Sequence, residues 1–491
     1  VNIKLVLTVF FLIAPACLSH AYDDNRLYRL LESGRLSEAA AIIEQNGDSR
    51  DAKLWKSRIK FYGGDYSSAG NVASENSGYF LKLAMITKNF SAAESSHFVF
   101  KARGYDVILS TYALTALEMS YTEIGADLGA YPENKILVEV YPNKEEFSFA
   151  STIPLDIIEK TGTVGICKFN RIMLLSPNAL PLGYRWLDTL SHEYTHYLVN
   201  YISVSQCPLW LHEGIARYHD TRWRLAEPLF LTPDAKNRLA DSNKAGTYVT
   251  FKKMSPSLIY LKDQDEIALA FAEVSAAVDF MKKNYGPDAL RLLLSGLSSL
   301  PYNKSFKSSV GVSEASFENK FRKYLGGLGL ERAVGTVSDL PVFYSKPEDE
   351  YIGADAAGKI RLGDKFRQLG NMAAAAAQYS GALELEPANP LILLKLSRSL
   401  LASGDEKKAE QYLLSAIEKN PNYVTPYQAL GELYYKQARY PEAIKAFCES
   451  IAINPFYENA HLYLANSYIY MGNLESAKTE QDILGLFGSR K

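Results

Sequence analysis

The sequence predicts an α+β middle domain flanked on both sides by helical repeats. Three observations carry that prediction. In the last third, Pro387, Pro421 and Pro455 stand 34 residues apart. Between residues 96 and 330, short β-branched runs come first and helical patterns follow, the order expected of an α+β domain. Residues 22–95 are helical with fainter hairpin signals. A chain of 491 residues is long enough for several such domains. Lys plus Arg is 53 and Asp plus Glu is 55, a formal charge of -2. That balance removes the broad basic footprint of a nucleic-acid binder. The four cysteines form no C-x-x-C pair, which excludes a four-cysteine zinc ribbon.

Taken in order, residues 1–21 have one Lys, an apolar run from Leu5 to Ala14, and Ser19 and Ala21 in a small-x-small arrangement. They read as a secretory signal cut after Ala21. The expected location is therefore outside the cytoplasm, in a bacterial periplasm or cell envelope. Lipoprotein anchoring at Cys17 is the less favoured alternative, because Ala14-Pro15-Ala16 lacks the usual Leu. No later run is long and apolar enough for a membrane span. Residues 22–95 form a degenerate helical-repeat domain. Gly34 to Ala39 and Gly64 to Ala69 resemble the turn of a repeat, and Asn89 to Ala93 is a weaker echo.

Residues 96–330 make the middle domain. Strands are expected at His97–Lys101, Ile136–Tyr141, Thr163–Cys167 and Arg171–Ser176, with a helix over Val107–Leu128 between the first two. A long helix follows from Trp186 to Tyr201, and others near 209–220, 266–285 and 315–325. Residues 331–355 lack an apolar face and carry Pro341, Pro347 and the acidic run Glu348-Asp349-Glu350, so they read as a linker.

Residues 356–488 carry the repeat itself. One unit has Tyr427, Leu430, Gly431, Tyr434, Ala443, Phe447 and Pro455. Leu393, Leu396, Ser397, Leu400, Ala409, Leu413 and Pro421 stand 34 residues earlier. Small residues at 375, 409 and 443 let paired helices approach closely. This is the tetratricopeptide pattern. A fourth unit starts at His461 and stops early, as a capping unit does. The groove of such an array implies a protein partner.

The chemistry concentrates at 192–196, His-Glu-Tyr-Thr-His. Histidines four apart on a helix share a face and can hold one Zn²⁺. Glu193 then stands where a general base is needed for a metal-activated water. Seventeen residues after His196, Trp210-Leu211-His212-Glu213-Gly214-Ile215-Ala216 offers Glu213 as a third ligand. Together these segments resemble the gluzincin metallopeptidases, and most closely the peptidase-MA-like bacterial proteins that carry tetratricopeptide repeats. The resemblance covers roughly residues 97–326, and includes Gly165 to Arg171 and Leu187-Asp188-Thr189-Leu190.

That resemblance implies a thermolysin-like α+β gluzincin fold with Zn²⁺ as cofactor. It makes His192, His196 and Glu213 metal ligands and Glu193 the catalytic residue. The implied activity is an exported zinc metallopeptidase acting on a peptide or protein substrate. The alternative is an inactive zinc-binding envelope scaffold that acts through its repeats. The resemblance also implies that Arg171–Ser176 is the edge strand pairing with substrate backbone. Its lack of an acid favours internal cleavage over aminopeptidase action. Phe271 stands where many gluzincins have an oxyanion-binding Tyr, and Tyr218, Tyr248 and Tyr260 are the candidate substitutes.

Neighbouring residues have lesser expected roles. His212 and His219 point away from Glu213 on a helical wheel and are not expected to be ligands. Arg217 and Asp220 share its face and are candidates to orient its carboxylate. Asp188 either orients an imidazole or is a first-turn acid. A Cys167–Cys207 disulfide remains open in an oxidising compartment.

Overall fold

Five strands of four to six residues form one mixed sheet. They are β1 (Ser91–Glu94), β2 (Phe98–Ala102), β3 (Ile136–Tyr141), β4 (Gly165–Lys168) and β5 (Arg171–Leu175), in the order β1-β2-β3-β5-β4. The computed structural model describes residues 23–45, 49–72, 76–338, 341, 343 and 353–488. The expected signal segment with Cys17, and much of the 331–355 linker, lie outside the described residues.

The inner strands β2, β3 and β5 run parallel, while β1 and β4 are antiparallel edges. Parallel neighbours need crossovers, and the helix Ser110–Leu128 supplies the one from β2 to β3. Between β4 and β5, Phe169 and Asn170 have φ of 58° and 57°. Two left-handed residues in succession make the tight turn that suits strand twist.

The expected thermolysin-like α+β fold is not what the chain shows. It is mostly helical, with twenty-three α-helices against five short strands among the described residues. The reason lies in what covers the sheet. Register places Phe98, Ile136, Val138 and Ile172 on one face and Leu137, Glu139 and Arg171 on the other. Helices cover both faces. Phe98 meets Tyr194 of the helix Trp186–Ser203 at 5.6 Å between ring centroids. The other face takes the N-terminal helices: the Tyr66 hydroxyl donates to Glu139 at 2.7 Å, and the Arg171 guanidinium lies 4.6 Å from the Phe61 ring. Asn89–Ala93, expected as a repeat echo, instead leads into β1.

The chain divides into two units. The first joins residues through Ser176 with Asp188–Phe230 and Val249–Gly327. The second joins Pro177–Leu187, Leu231–Tyr248 and the residues from Leu328 onward. The second unit contains four helical hairpins: Ala354–Gln368 with Met372–Leu385, Pro390–Ala402 with Glu406–Lys419, Val424–Lys436 with Tyr440–Ile451, and Glu458–Tyr470 with Leu474–Gly488. The fourth is thus a full hairpin, where the sequence pattern fades early. Ala375, Ala409 and Ala443 are fully buried where paired helices cross. Each hairpin turns through a left-handed residue: Gly370, Gly404, Ala438 and Gly472, with φ of 77°, 84°, 56° and 74°. Arg185 anchors the Pro177–Leu187 segment on this array. It pairs with Glu449 at 2.6 Å and donates to the Pro421 carbonyl at 2.5 Å. The Trp186 indole N–H donates to the Ile451 carbonyl at 2.8 Å.

In the first unit, burial pushes the Asp106 carboxyl up to about 6, although the Ser176 hydroxyl donates to it at 2.5 Å. An acid raised from 3.8 to that value on folding stabilises the fold while protonated and loses this contribution as pH rises through about 6. Asp106→Asn should therefore match the wild type near pH 4. Above pH 7 it should be more stable by up to about 3 kcal/mol. Urea midpoints across this range check it; equal pH dependence in the two proteins would refute it.

Candidate metal centre

The helix Trp186–Ser203 sets His192 and His196 one turn apart on one side. The next helix, Leu209–His219, starts after Pro208 and brings Glu213 to them. The two imidazole Nε2 atoms are 3.0 Å apart. Glu213 Oε2 lies 3.8 Å from His192 Nε2 and 3.5 Å from His196 Nε2. All three residues are largely buried, and one donor atom from each falls within 4.8 Å of the others. Metal bonds of about 2.0–2.1 Å at tetrahedral angles put ligand atoms about 3.3 Å apart. The separations and the two-imidazole, one-carboxylate chemistry fit a small divalent cation such as Zn²⁺.

Electrostatics agree with that fit. Burial would raise the Glu213 carboxyl, but His196 and His192 outweigh it and hold the group down at about 2. Burial also opposes charge on His196, yet Glu213 overcomes it and pushes that imidazole up. The buried acid and its two bases thus form a strongly coupled set in which a cation is the natural counter-charge.

Asp220 supports the set differently from expectation. Its Oδ1 lies 2.8 Å from His192 Nδ1, so it orients an imidazole rather than the Glu213 carboxylate. The contact leaves His192 Nε2 facing the cluster as an acceptor. Arg217 reaches Asp220 at 3.3 Å and lies 4.5 Å over the Phe271 ring, which places Phe271 behind the site through two intermediaries. Asp188 accepts from the Trp223 indole at 2.8 Å and from Arg224 at 2.9 and 3.0 Å.

His212 is not one of the converging donors, and stacks on His196 at 4.4 Å with its Nε2 3.0 Å from Asn200 Oδ1. Burial lowers His212 to about 3, which keeps it neutral against its neighbour. Sequence spacing had no signal for this stack, because the ring comes from the second helix. His219 is buried with Nδ1 at 2.8 Å from the Ile215 carbonyl. Among the substitutes for Phe271, Tyr218 is packed against Phe230 and Tyr260 is 48% exposed.

Glu193 is 5% exposed, and burial pushes its carboxyl up while His192 and His196 pull the other way. A β-carbon added at Gly165, the first residue of β4, would fall 2.9 Å from its Oε1. The sheet edge beside it is thus β4, not Arg171–Ser176: β5 is interior, between β3 and β4. Cys167 and Cys207 are free thiols and form no disulfide.

Comparison with known proteins reaches the repeats. Two tetratricopeptide repeat models match, at residues 366–434 and 424–457. The TPR repeat-containing thioredoxin TTL4 of Arabidopsis thaliana is 31% identical over 97 residues, 20% of this chain and 14% of that protein. The cell division cycle protein 16 homolog of Homo sapiens is 28% identical over 129 residues, 24% of this chain and 20% of that protein. This chain therefore spans only a small part of either relative. Among solved structures, MamA matches with a TM-score of 0.27 and 20% identity, over 28% of this chain and 80% of that one. The APC/C hetero-tetramer Cut9-Hcn1 matches with a TM-score of 0.25 and 15% identity, over 98% of this chain and 96% of that one. The C-terminal tetratricopeptide repeats stand on the family models; no gluzincin or peptidase domain is shown by the family models or the relatives.

Proposed function

We propose that this chain is an exported scaffold of the bacterial cell envelope that binds a protein partner through its tetratricopeptide repeats and holds one Zn²⁺ at His192, His196 and Glu213. The repeats support the scaffold role, since tetratricopeptide arrays present extended surfaces to other proteins. The metal assignment rests on one observation: three donor atoms from two helices converge within 4.8 Å.

A second reading, zinc-dependent peptide hydrolysis, is favoured by Glu193. A purely structural metal set has no need of a second buried glutamate, and burying one costs free energy. Zn²⁺ bound there would act as a Lewis acid and ease deprotonation of water. The chain's own part is then plain. His192, His196 and Glu213 bind the ion, Asp220 holds the His192 ring in place, and Glu193 takes a proton from the attacking water.

Metal content tests what the two readings share. Full-length chain refolded with zinc should carry one ion per molecule by elemental analysis. Loss of a residue that merely orients a ligand costs about 10–100-fold in metal affinity. His196→Ala removes a ligand and should cost more, measured by competition with a chromophoric chelator. Absence of zinc from the wild type sinks both readings of the site.

A further inference from the structure

The start of β4 lies directly under Glu193. A β-carbon at position 165 would fall 2.9 Å from Glu193 Oε1, 3.0 Å from its Cγ and 2.7 Å from Thr189 Cγ2. Real β-carbons do not sit so close to other atoms, so a side chain at 165 and the present Glu193 position exclude each other. As an edge strand, β4 has backbone groups on its open side that no strand takes up.

We propose that Gly165 is a positioning residue for Glu193: its missing side chain leaves the seat on which the carboxylate rests.

The seat cannot easily yield, because β4 is held at its far end. The turn residue Phe169 donates its N–H to Glu32 Oε2 at 3.1 Å, and the Tyr62 hydroxyl donates to Glu32 Oε1 at 2.6 Å. Lys168 Nζ donates to the Thr152 hydroxyl at 2.6 Å and the Ser151 carbonyl at 3.1 Å. With the strand pinned, an added methyl must displace Glu193 or Thr189 rather than the backbone. Alanine suits a strand at least as well as glycine does, so any harm from Gly165→Ala comes from this collision. The N-terminal helices, through Glu32, thereby help to place the acid beside the metal ligands.

The kinetic consequence rests on the hydrolytic reading; the seat itself does not, and two measurements separate them. The first is a stability cycle in the full-length Thr189→Ser protein, which lacks the competing Thr189 methyl. There Gly165→Ala should lower Tm by about 2–4 °C while Glu193 is present. In Thr189→Ser/Glu193→Ala it should leave Tm unchanged or raise it. Equal effects in both backgrounds overturn the proposal, since non-interacting sites are additive. The second is turnover of a broad peptide library. If the chain hydrolyses peptides, Gly165→Ala should lower kcat about 10- to 100-fold with KM and zinc content retained. Unchanged kcat in an active protein overturns the proposal. Coupling in the stability cycle without any wild-type hydrolysis upholds the seat and removes only the hydrolytic reading.

Discussion

Glu193→Gln should keep zinc content and partner binding at wild-type levels while any peptide hydrolysis by the chain falls by about 10²–10⁴-fold. Glu193 is not among the three converging donors, so the amide does not remove a ligand. It is close to isosteric with the acid. What it cannot do is take a proton from water near neutral pH. Cleavage profiling with an unbiased peptide library, run beside elemental analysis, reads both quantities. If the wild type cleaves nothing, and Glu193→Gln restores a deletion strain as fully as the wild type, the hydrolytic reading fails. The zinc-holding scaffold then stands alone.

Glu139→Leu should destabilise the chain by about 3–5 kcal/mol. Glu139 and Arg171 are both fully buried, 3.3 Å apart. Tyr66 and Tyr141 donate to the Glu139 oxygens at 2.7 and 2.8 Å. Removing the acid strands a guanidinium among Phe61, Tyr66 and Phe169 and leaves two hydroxyls without their acceptor. Glu139→Leu with Arg171→Met removes both charges and should recover most of the loss, because an apolar pair carries no desolvation cost. Chemical denaturation of the three proteins checks this. A single variant within about 1 kcal/mol of the wild type would show that Arg171 finds other compensation.

Local patterns carried much of this molecule. The 34-residue period placed the C-terminal hairpins, because each unit repeats the same close crossing at Ala375, Ala409 and Ala443. The i,i+4 spacing of His192 and His196 put two imidazoles on one helical face. Alternation over 136–141 marked β3 to the residue. Where the sequence misled, distant segments were competing. The region after β5 looked like the helical half of an independent α+β domain, and 22–95 like a separate repeat domain. In the structure, the N-terminal helices close over Glu139 and Arg171, and helix outweighs sheet throughout. Arg171–Ser176 looked like an edge because it directly precedes the motif helix; strand order depends on pairing, which adjacency in sequence does not reveal.

The sequence by itself determined the ligand types, their spacing and the repeat register, since each depends on residues within one or two helical turns or on a strict period. Only the tertiary structure decided that Asp220 faces His192, that Asp188 serves Trp223 and Arg224, that His212 stacks on His196 and that the start of β4 lies against Glu193. Those contacts join residues 16 to 36 positions apart in the chain. They are set by how helices and strands pack, and packing selects among side chains that spacing alone leaves equivalent.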